Sequence, residues 1–442
     1  EIIPFFIIEL PDGDWENAVN DFFRETSGEQ SLILEKSYQE LDYTVVNLRK
    51  PATLLYLAIY RGLIVMTTDE SCFKGIIDQL NEGNPVSMDA SFSKVSTTAG
   101  KNVDANIYLN FQNFANWVTK FFKEDHRDFV NRLEYFAKWT ETDLTLLDQE
   151  ILLNGYTVAP DSGKQILNRF RNEPTRITVQ EVLPYHIGWM IHAGTEHLNE
   201  AFISVSTDVV NKYKAEYDVD VNTALFGWTD HEVALAGTSS LMAGSNQLLA
   251  VIRSPDILAA GIQLDGIRQK VNRKLRVESV ELTFKGYRID KINLPDLMKD
   301  CFGPLFAGLQ ENYYILIRDF VVFANSPETL MDVINNFYSG NVLATNASYQ
   351  SFSNNISDRS NLFFYCNPGK SLTFLSRFFT PEIVQKISAH KNLAESFEGF
   401  ALQLNFVNRM FYTSLYLKYN PDYTEIDPVH WKAELDNDIT VR

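Results

Sequence analysis

The chain has 442 residues, 45% of them hydrophobic and 13% aromatic, so it can bury a large core and is too apolar for a disordered protein. Its 57 acidic and 39 basic residues give a net charge of −18, and no dense run of Lys and Arg offers a patch for a phosphate backbone. The charge argues against nucleic acid as a partner, and against tight binding to an anionic membrane through a basic face.

The most apolar stretch, residues 53–68, is interrupted by Arg61 and Gly62. A membrane-spanning helix needs about 20 continuous apolar residues, so this stretch is too short and too broken to cross a bilayer. Two apolar runs around a two-residue polar turn predict a β-hairpin instead.

The cysteines give no sign of a disulfide framework or a thiolate metal site. Cys72, Cys301 and Cys366 lie far apart and form no C-x-x-C pair. We expect buried free thiols.

Internal duplication is the strongest feature of the sequence. Residues 61–110 match residues 318–367 without a gap, at a constant spacing of 257. Both copies open with a hairpin, followed by a helix that begins at Asp69 or Ser326 and ends near Gly83 or Gly340. The buried stripes of the two helices also match at this spacing: Phe73, Ile76, Ile77 and Leu80 in the first copy, Leu330, Val333, Ile334 and Phe337 in the second.

The similarity extends on both sides of this block. A second short helix is predicted to begin at Asp89 or Asn346, and a strand follows over residues 107–109 or 364–366. Further out the spacing becomes 244, which pairs Pro11-Asp12 with Pro255-Asp256, Tyr43 with Tyr287 and Gly155 with Gly399. The second copy is therefore predicted to gain residues near 296–310 and to lose as many later.

These patterns predict an α+β fold of internally duplicated strand-helix-hairpin-helix-strand units with mixed or antiparallel sheets, rather than a doubly wound parallel sheet. The predicted segments are a first repeat at 1–170, an intervening strand-helix unit at 171–246, a second repeat at 247–420 and a polar C-terminal segment at 421–442. The intervening unit begins EVLPYHIGWM, which echoes the opening EIIPFFIIEL.

Candidate chemical groups are few. No G-x-x-x-x-G-K-[ST] or G-x-G-x-x-G motif supports nucleotide binding. Ser91 and Lys94 have the S-x-x-K spacing of some serine hydrolases, but the second copy has Ser351 in place of the Lys. The alternative interpretation places Ser91 in the first turn of a helix.

Histidines cluster between the two copies, where His192 and His197 precede the pair Asp230 and His231. Their spacing is not H-E-x-x-H, so we interpret them as solvated strand and helix positions rather than as metal ligands. We therefore predict no catalytic, cofactor-binding or metal-binding residue. Ser91, Lys94, His192, His197, Asp230 and His231 are the residues to inspect for an enzyme site assembled only in three dimensions.

The run GNPVSMDASFSKVSTTAGKNVDANIYLNF, the segments FVVFANSPETL and NLFFY, and FALQLNF followed by FYTSLYLKYNP resemble an uncharacterised family of membrane-anchored envelope proteins from anaerobic Gram-negative bacteria. The resemblance covers most of the chain. It implies an extracytoplasmic domain on the periplasmic side, held by an amino-terminal anchor. No catalytic residue is established for that family, so none is carried over.

A non-enzymatic binding or scaffold module of the cell envelope is the favoured function, and a hydrolase-like enzyme is the alternative. We expect a protein or an envelope component as the partner, and no cofactor. Because the chain begins at Glu1 without Met, we also expect a fragment of a longer protein, contacting the membrane only through a segment outside these residues.

Overall fold

The computed structural model of the protein describes residues 3–10, 33–49, 52–161, 164–196, 198–202, 207–238, 247–279, 281–420 and 439–441. The chain divides into two compact units, Glu1–Ser93 and Lys94–Arg442. This boundary falls inside the first predicted repeat, so compactness and sequence duplication divide the chain differently. The four predicted segments stay predictions.

The first unit contains an antiparallel sheet in the order β1-β5-β4-β3-β2. Its strands are β1 (Phe5–Glu9), β2 (Ile33–Tyr38), β3 (Leu41–Arg49), β4 (Ala52–Tyr60) and β5 (Leu63–Thr67). Helix α1 (Glu70–Glu82) packs Phe73 and Ile77 against Val65 of β5. Helix α2 (Ala90–Ser96) follows and continues into the second unit.

The second unit is built on a long antiparallel sheet in the order β21-β13-β14-β15-β16-β12-β11-β10-β18-β19-β20-β8-β7-β6. A separate pair joins β9 to β17. The strands are β6 (Ala105–Asn110), β7 (Trp139–Leu147), β8 (Glu150–Val158), β9 (Thr175–Arg176), β10 (Ile187–Gly194), β11 (Glu232–Thr238), β12 (Gln247–Arg253), β13 (Leu282–Phe284), β14 (Tyr287–Lys291), β15 (Tyr313–Ile317), β16 (Phe320–Ala324), β17 (Arg359–Ser360), β18 (Leu362–Cys366), β19 (Phe397–Val407), β20 (Met410–Tyr419) and β21 (Ile439–Val441).

Helices cover this sheet. They are α3 (Phe111–Val118), α4 (Glu124–Asn131), α5 (Leu198–Phe202), α6 (Thr207–Tyr217), α7 (Val221–Ala224), α8 (Ile257–Leu275), α9 (Leu297–Phe302), α10 (Pro327–Tyr338), α11 (Ala347–Ser353), α12 (Pro368–Leu375), α13 (Pro381–Ala389) and α14 (Lys391–Glu395). One core includes α8 with Leu264 and Ile267, and a second includes α10 with Leu330 and Ile334. The α+β prediction is confirmed, and every pairing between described strands is antiparallel.

Helix caps and turns form where the sequence predicts them. The Asp69 carboxylate accepts a hydrogen bond from the Cys72 N–H at 2.7 Å, and Gly83 ends α1 in the left-handed region. In the second copy Ser326 caps α10, with Pro327 at its first position. Arg61 and Arg318, each in a two-residue hairpin turn, have the same positive φ of 52°.

The duplication extends to the strand order. The order β1-β5-β4-β3-β2 recurs as β12-β16-β15-β14-β13, and β6-β7-β8 recurs as β18-β19-β20. In the second copy β11 and β10 lie between these two groups, so a single sheet runs from β13 to β20. Helix α9 occupies the position of the predicted insertion near residues 296–310.

Two residue pairings outside the central block are wrong. The Gln39-Glu40 turn corresponds to Lys285-Gly286, which matches Leu41, rather than Tyr43, to Tyr287. A shift of two residues keeps a side chain on the same face of a strand, so the sequence pattern could not reveal it.

The second wrong pairing joins Gly155 to Gly399. The loss of residues in the second copy, which was predicted from this pairing, is therefore wrong as well. The Asp148-Gln149 turn corresponds to Asn408-Arg409, so the spacing there is 260 rather than 244. The glycines serve different close approaches: a Cβ on Gly155 would lie 2.1 Å from the carbonyl oxygen of Glu141, and one on Gly399 would lie 2.7 Å from Cε2 of Phe352. Pro11-Asp12, the partner predicted for Pro255-Asp256, lies outside the described residues.

The three thiols are free. Cys301 and Cys366 are buried as expected, and burial raises the pKa of each thiol. Cys72 is only half-buried, because it lies in the first turn of α1 beside its N-cap rather than on the core face.

Candidate functional site

His192 is fully buried beside Glu232, so its interpretation as a solvated strand position is wrong. The strands β10 and β11 place His192 Nε2 3.2 Å from Glu232 Oε1, and both side chains are 0% exposed. Glu232 also accepts hydrogen bonds from the backbone N–H of Thr178 at 2.6 Å and of Val179 at 3.1 Å. Burial raises the pKa of Glu232, but its hydrogen bonds to His192 and Thr178 outweigh this effect, so its pKa is lowered overall. The pair joins two strands inside the core and is sealed from solvent.

Asp230 and His231 contact each other immediately before the start of β11. His231 Nδ1 lies 2.5 Å from Asp230 Oδ1, and Arg253 Nε lies 3.7 Å from Asp230 Oδ2. All three side chains are partly exposed. It is the one contact between two of the five candidates that the structure describes. The sixth candidate, His197, lies outside the described residues.

Ser91 and Lys94 occupy structural positions on α2. The backbone N–H of Ser91 donates to the Asp89 carboxylate at 2.8 Å, which places Ser91 in the first helical turn. Lys94 Nζ lies 3.5 Å from the carbonyl oxygen of Arg409. The Ser91 contact matches the alternative interpretation, in which this residue lies in the first turn of a helix.

A second buried histidine, His186, contacts α10. Its Nε2 lies 3.0 Å from Asp332 Oδ2, and both side chains are buried. Asn336 Nδ2 donates to Asp332 Oδ1 at 2.9 Å. This contact ties the segment before β10 to the helix that packs below the sheet, and sequence reasoning did not find it because the residues lie 146 positions apart.

A carboxyl pair on β7 was also missed from the sequence. Glu141 is fully buried, and burial together with neighbouring Asp143 raises the pKa of Glu141 to about 7. The Thr98 hydroxyl donates to Glu141 Oε2 at 3.1 Å, and Asn106 Nδ2 donates to Asp143 Oδ1 at 2.6 Å. The Glu141 carboxyl can therefore hold a proton near neutral pH. Their i, i+2 spacing on one strand was the only available signal.

Charged residues surround a small cavity between α8 and the adjacent strands. Its volume is about 240 Å³, and Arg268, Asn272, Lys291, Asn293 and Tyr313 are among the residues that line it. The cations already have partners: Arg268 lies 3.1 Å from Asp265 and 3.3 Å from Glu281, and Lys291 contacts Glu311. The cavity thus has no unpaired cation among these lining residues. Arg268 and Lys291 pair with carboxylates of the protein itself, so their charges have a structural role.

Among the described residues of the first unit, β1 has the longest run of exposed large apolar side chains. Phe5, Phe6, Ile7 and Ile8 are between 44% and 57% exposed, and together they occupy both faces of the strand. Four consecutive large apolar side chains in this state are unusual for a strand of a folded sheet. Sequence reasoning assigned this strand to a repeat but did not foresee its exposure.

Within the described ranges, no cluster of three or more His, Cys, Asp and Glu side chains is arranged to hold a metal ion. No described helix combines the length and the apolarity required to span a bilayer.

Residues 194–403 match the model of a family described as a protein of unknown function, DUF3352. The match contains the strands β11 to β18 and the buried residue Glu232, and it ends within β19. No curated protein and no solved structure matches the chain. The comparisons thus identify a domain of unknown function.

Proposed function

We propose that the protein is a non-enzymatic binding or scaffold module. The observation that carries this proposal is the exposure of Phe5, Phe6, Ile7 and Ile8 on β1. Exposed apolar groups of this size mark surfaces that another molecule covers.

The distribution of ionisable groups gives further support. The His192–Glu232 pair is sealed in the core, where a substrate has no access to it. Asp230 and His231 are accessible, but among the described residues they contact each other, Arg253 and backbone groups rather than a nucleophile. A hydrolase that uses a serine or cysteine nucleophile needs that group within hydrogen-bond reach of its base.

The proposed location is the outer side of the cytoplasmic membrane, with anchoring through a segment outside residues 1–442. The family resemblance supports this location, and a net charge of −18 offers no hold on anionic lipid. The full-length protein should fractionate with membranes and be cleaved by protease added from the periplasmic side. Recovery in the cytosol would contradict the location.

Two variants test the binding function. Cross-linking in native envelopes should trap a defined partner with the wild type, and Ile7→Asp should remove that product. Leu258→Asp is the matched control, because it changes an exposed apolar residue of α8 in the second unit. Enzymatic hydrolysis of ester, peptide or glycoside substrates, lost on Ser91→Ala or His231→Ala, would instead support the hydrolase alternative.

A further inference from the structure

The strand β1 has an exact structural counterpart in the second repeat. Ile8 lies opposite Ile64 across β1 and β5, and Ile252 lies opposite Val321 across β12 and β16. The spacing is 244 between the first members of these pairs and 257 between the second members, and it holds along both strands. Phe5 to Ile8 therefore correspond one by one to residues 249–252.

The two strands differ in burial. All four residues from Leu249 to Ile252 are 0% exposed, whereas their counterparts on β1 are about half exposed. Two further differences accompany this one. In the second repeat Ala250 and Ile252 share a core with Leu264 and Ile267 of α8, whereas the corresponding positions of the first repeat, 13–31, lie outside the described residues. The other difference is the neighbouring strand. In the second repeat β11 pairs with the far edge of β12, and the sheet continues to β10 and β18. In the described part of the first unit, β1 ends its sheet and pairs only with β5.

An unpaired edge presents a row of backbone N–H and C=O groups to an incoming strand. Pairing would satisfy these groups and cover apolar surface on both faces of β1 at once. Covering the large side chains of β1 would stabilise the complex by on the order of 25 cal/mol for each Å² of apolar area removed from water. The edge and the side chains thus favour the same occupant, an extended strand.

The second repeat indicates the chemistry of that strand. Across β11 and β12, Ala236 lies opposite Leu249 and Ala234 lies opposite Val251. The two strands are complementary in size, because the larger Leu235 of β11 lies opposite the small Ala250 of β12. Since β1 carries a large residue at all four corresponding positions, it fits a strand whose apolar residues are small.

Charge decides against a second copy of this chain. Another copy brings a further −18, and pairing β1 with itself would place large side chains opposite large side chains. A partner strand without acidic residues avoids the charge repulsion, and small side chains on it avoid the steric conflict.

We propose that β1 is a docking edge for an extended, non-acidic strand of small apolar residues from a partner protein, which pairs antiparallel to it as β11 pairs with β12. This inference rests on the proposed binding function and names the class of partner. Strand addition of this kind uses main-chain hydrogen bonds for affinity and side-chain contacts for selectivity.

A synthetic peptide tests the inference. It contains the β11 sequence Val-Ala-Leu-Ala-Gly between lysines and carries a fluorescent label, and its binding to the 442-residue protein is measured by fluorescence anisotropy. We expect saturable binding that Ile7→Asp weakens by at least about tenfold, corresponding to about 1.4 kcal/mol. Leu258→Asp should bind like the wild type, and a peptide with Pro at its central position should not bind, because Pro lacks the N–H needed for pairing.

Hydrogen exchange on the wild-type protein gives a readout that does not depend on a variant. The peptide should slow exchange of amides in residues 5–9 and leave those of β12 unchanged. Absence of saturable binding, or equal binding by both Asp variants, would overturn strand docking. A dimer in sedimentation experiments that Ile7→Asp abolishes would assign the edge to a second copy and also overturn it.

Failure of the peptide is distinguishable from failure of the binding function. If the peptide does not bind while the cross-linked partner still depends on Ile7, the module stands and its partner is not a strand. If the protein proves to be a hydrolase, the binding function itself falls.

Discussion

The two repeats use the same strand order and end in different states. In the second repeat β10 and β11 fill the space between β12 and β18, and the residues of β12 lie in the core. In the first repeat the corresponding strand β1 has its apolar residues exposed. The comparison shows that burial of a strand depends on its neighbours in the sheet as much as on its own residues.

The ionisable groups differ in the same way. The inserted strands β10 and β11 carry the sealed pair His192–Glu232, which has no counterpart in the described first repeat. Conversely, the buried carboxyl of Glu141 belongs to the first repeat, and Ala401 occupies the corresponding position of the second. The inserted strands and the first repeat thus each bury a polar group that has no counterpart in the other copy.

The largest expected effect concerns the pair that joins β10 to β11. Glu232→Leu leaves His192 without its carboxylate and the Thr178 N–H without its acceptor. We expect a loss of about 3–5 kcal/mol in the free energy of unfolding, measured by urea denaturation. Asp230→Asn is the control, since its partly exposed pair should contribute only about 0–1 kcal/mol. Equal losses would show that burial does not distinguish the two pairs.

The next effect compares two isoleucines at equivalent positions. Ile252→Ala removes a fully buried side chain and should cost about 2–5 kcal/mol. Ile8→Ala removes a side chain that is 46% exposed and should cost less than about 1 kcal/mol. Urea denaturation of both variants measures the difference. A similar cost at both positions would mean that β1 is covered in solution by the protein itself.

A smaller effect should appear in the pH dependence of stability. The pKa of Glu141 is about 7 in the folded protein against an ordinary value of 4.5, so the folded state binds the proton more tightly. This stability is present below about pH 4.5 and is lost as pH rises through about 7. Glu141→Gln should remove the dependence and stabilise the protein at pH 8 by on the order of 1–2 kcal/mol.

Denaturation at pH 5, 6, 7 and 8 measures this effect. Glu124→Gln, at the exposed start of α4, is the matched control and should leave the slope between pH 5 and 8 unchanged. An unchanged slope in Glu141→Gln would contradict the assignment of the buried proton to this carboxyl.

The smallest expected effect concerns metal. The melting temperature should be the same after treatment with EDTA and after addition of ZnCl₂, because the three described histidines between the repeats each lie beside one carboxylate and the histidines lack ligand spacing. Elemental analysis gives an independent measurement. About one metal ion per chain, lost in His192→Ala, would show that the histidine region holds a metal centre.

Local features of the fold could be predicted from the sequence. Asp69 and Ser326 cap helices, Arg61-Gly62 and Arg318-Asp319 form two-residue turns, and the stripes on α1 and α10 face their cores. Each of these features depends on residues within about one or two turns of chain. Comparing the two copies added the prediction that both share one arrangement, because equal local patterns at a constant spacing fold in the same way, and the strand orders of the two copies match.

Only the tertiary structure decided which strands became neighbours. That β11 lies beside β12, that His192 meets Glu232, and that β1 ends its sheet all depend on pairings between distant residues. Apolar runs occur in β1 and in β12 alike. Whether a second edge is filled depends on the presence of another strand, and a strand's own residues carry no record of that.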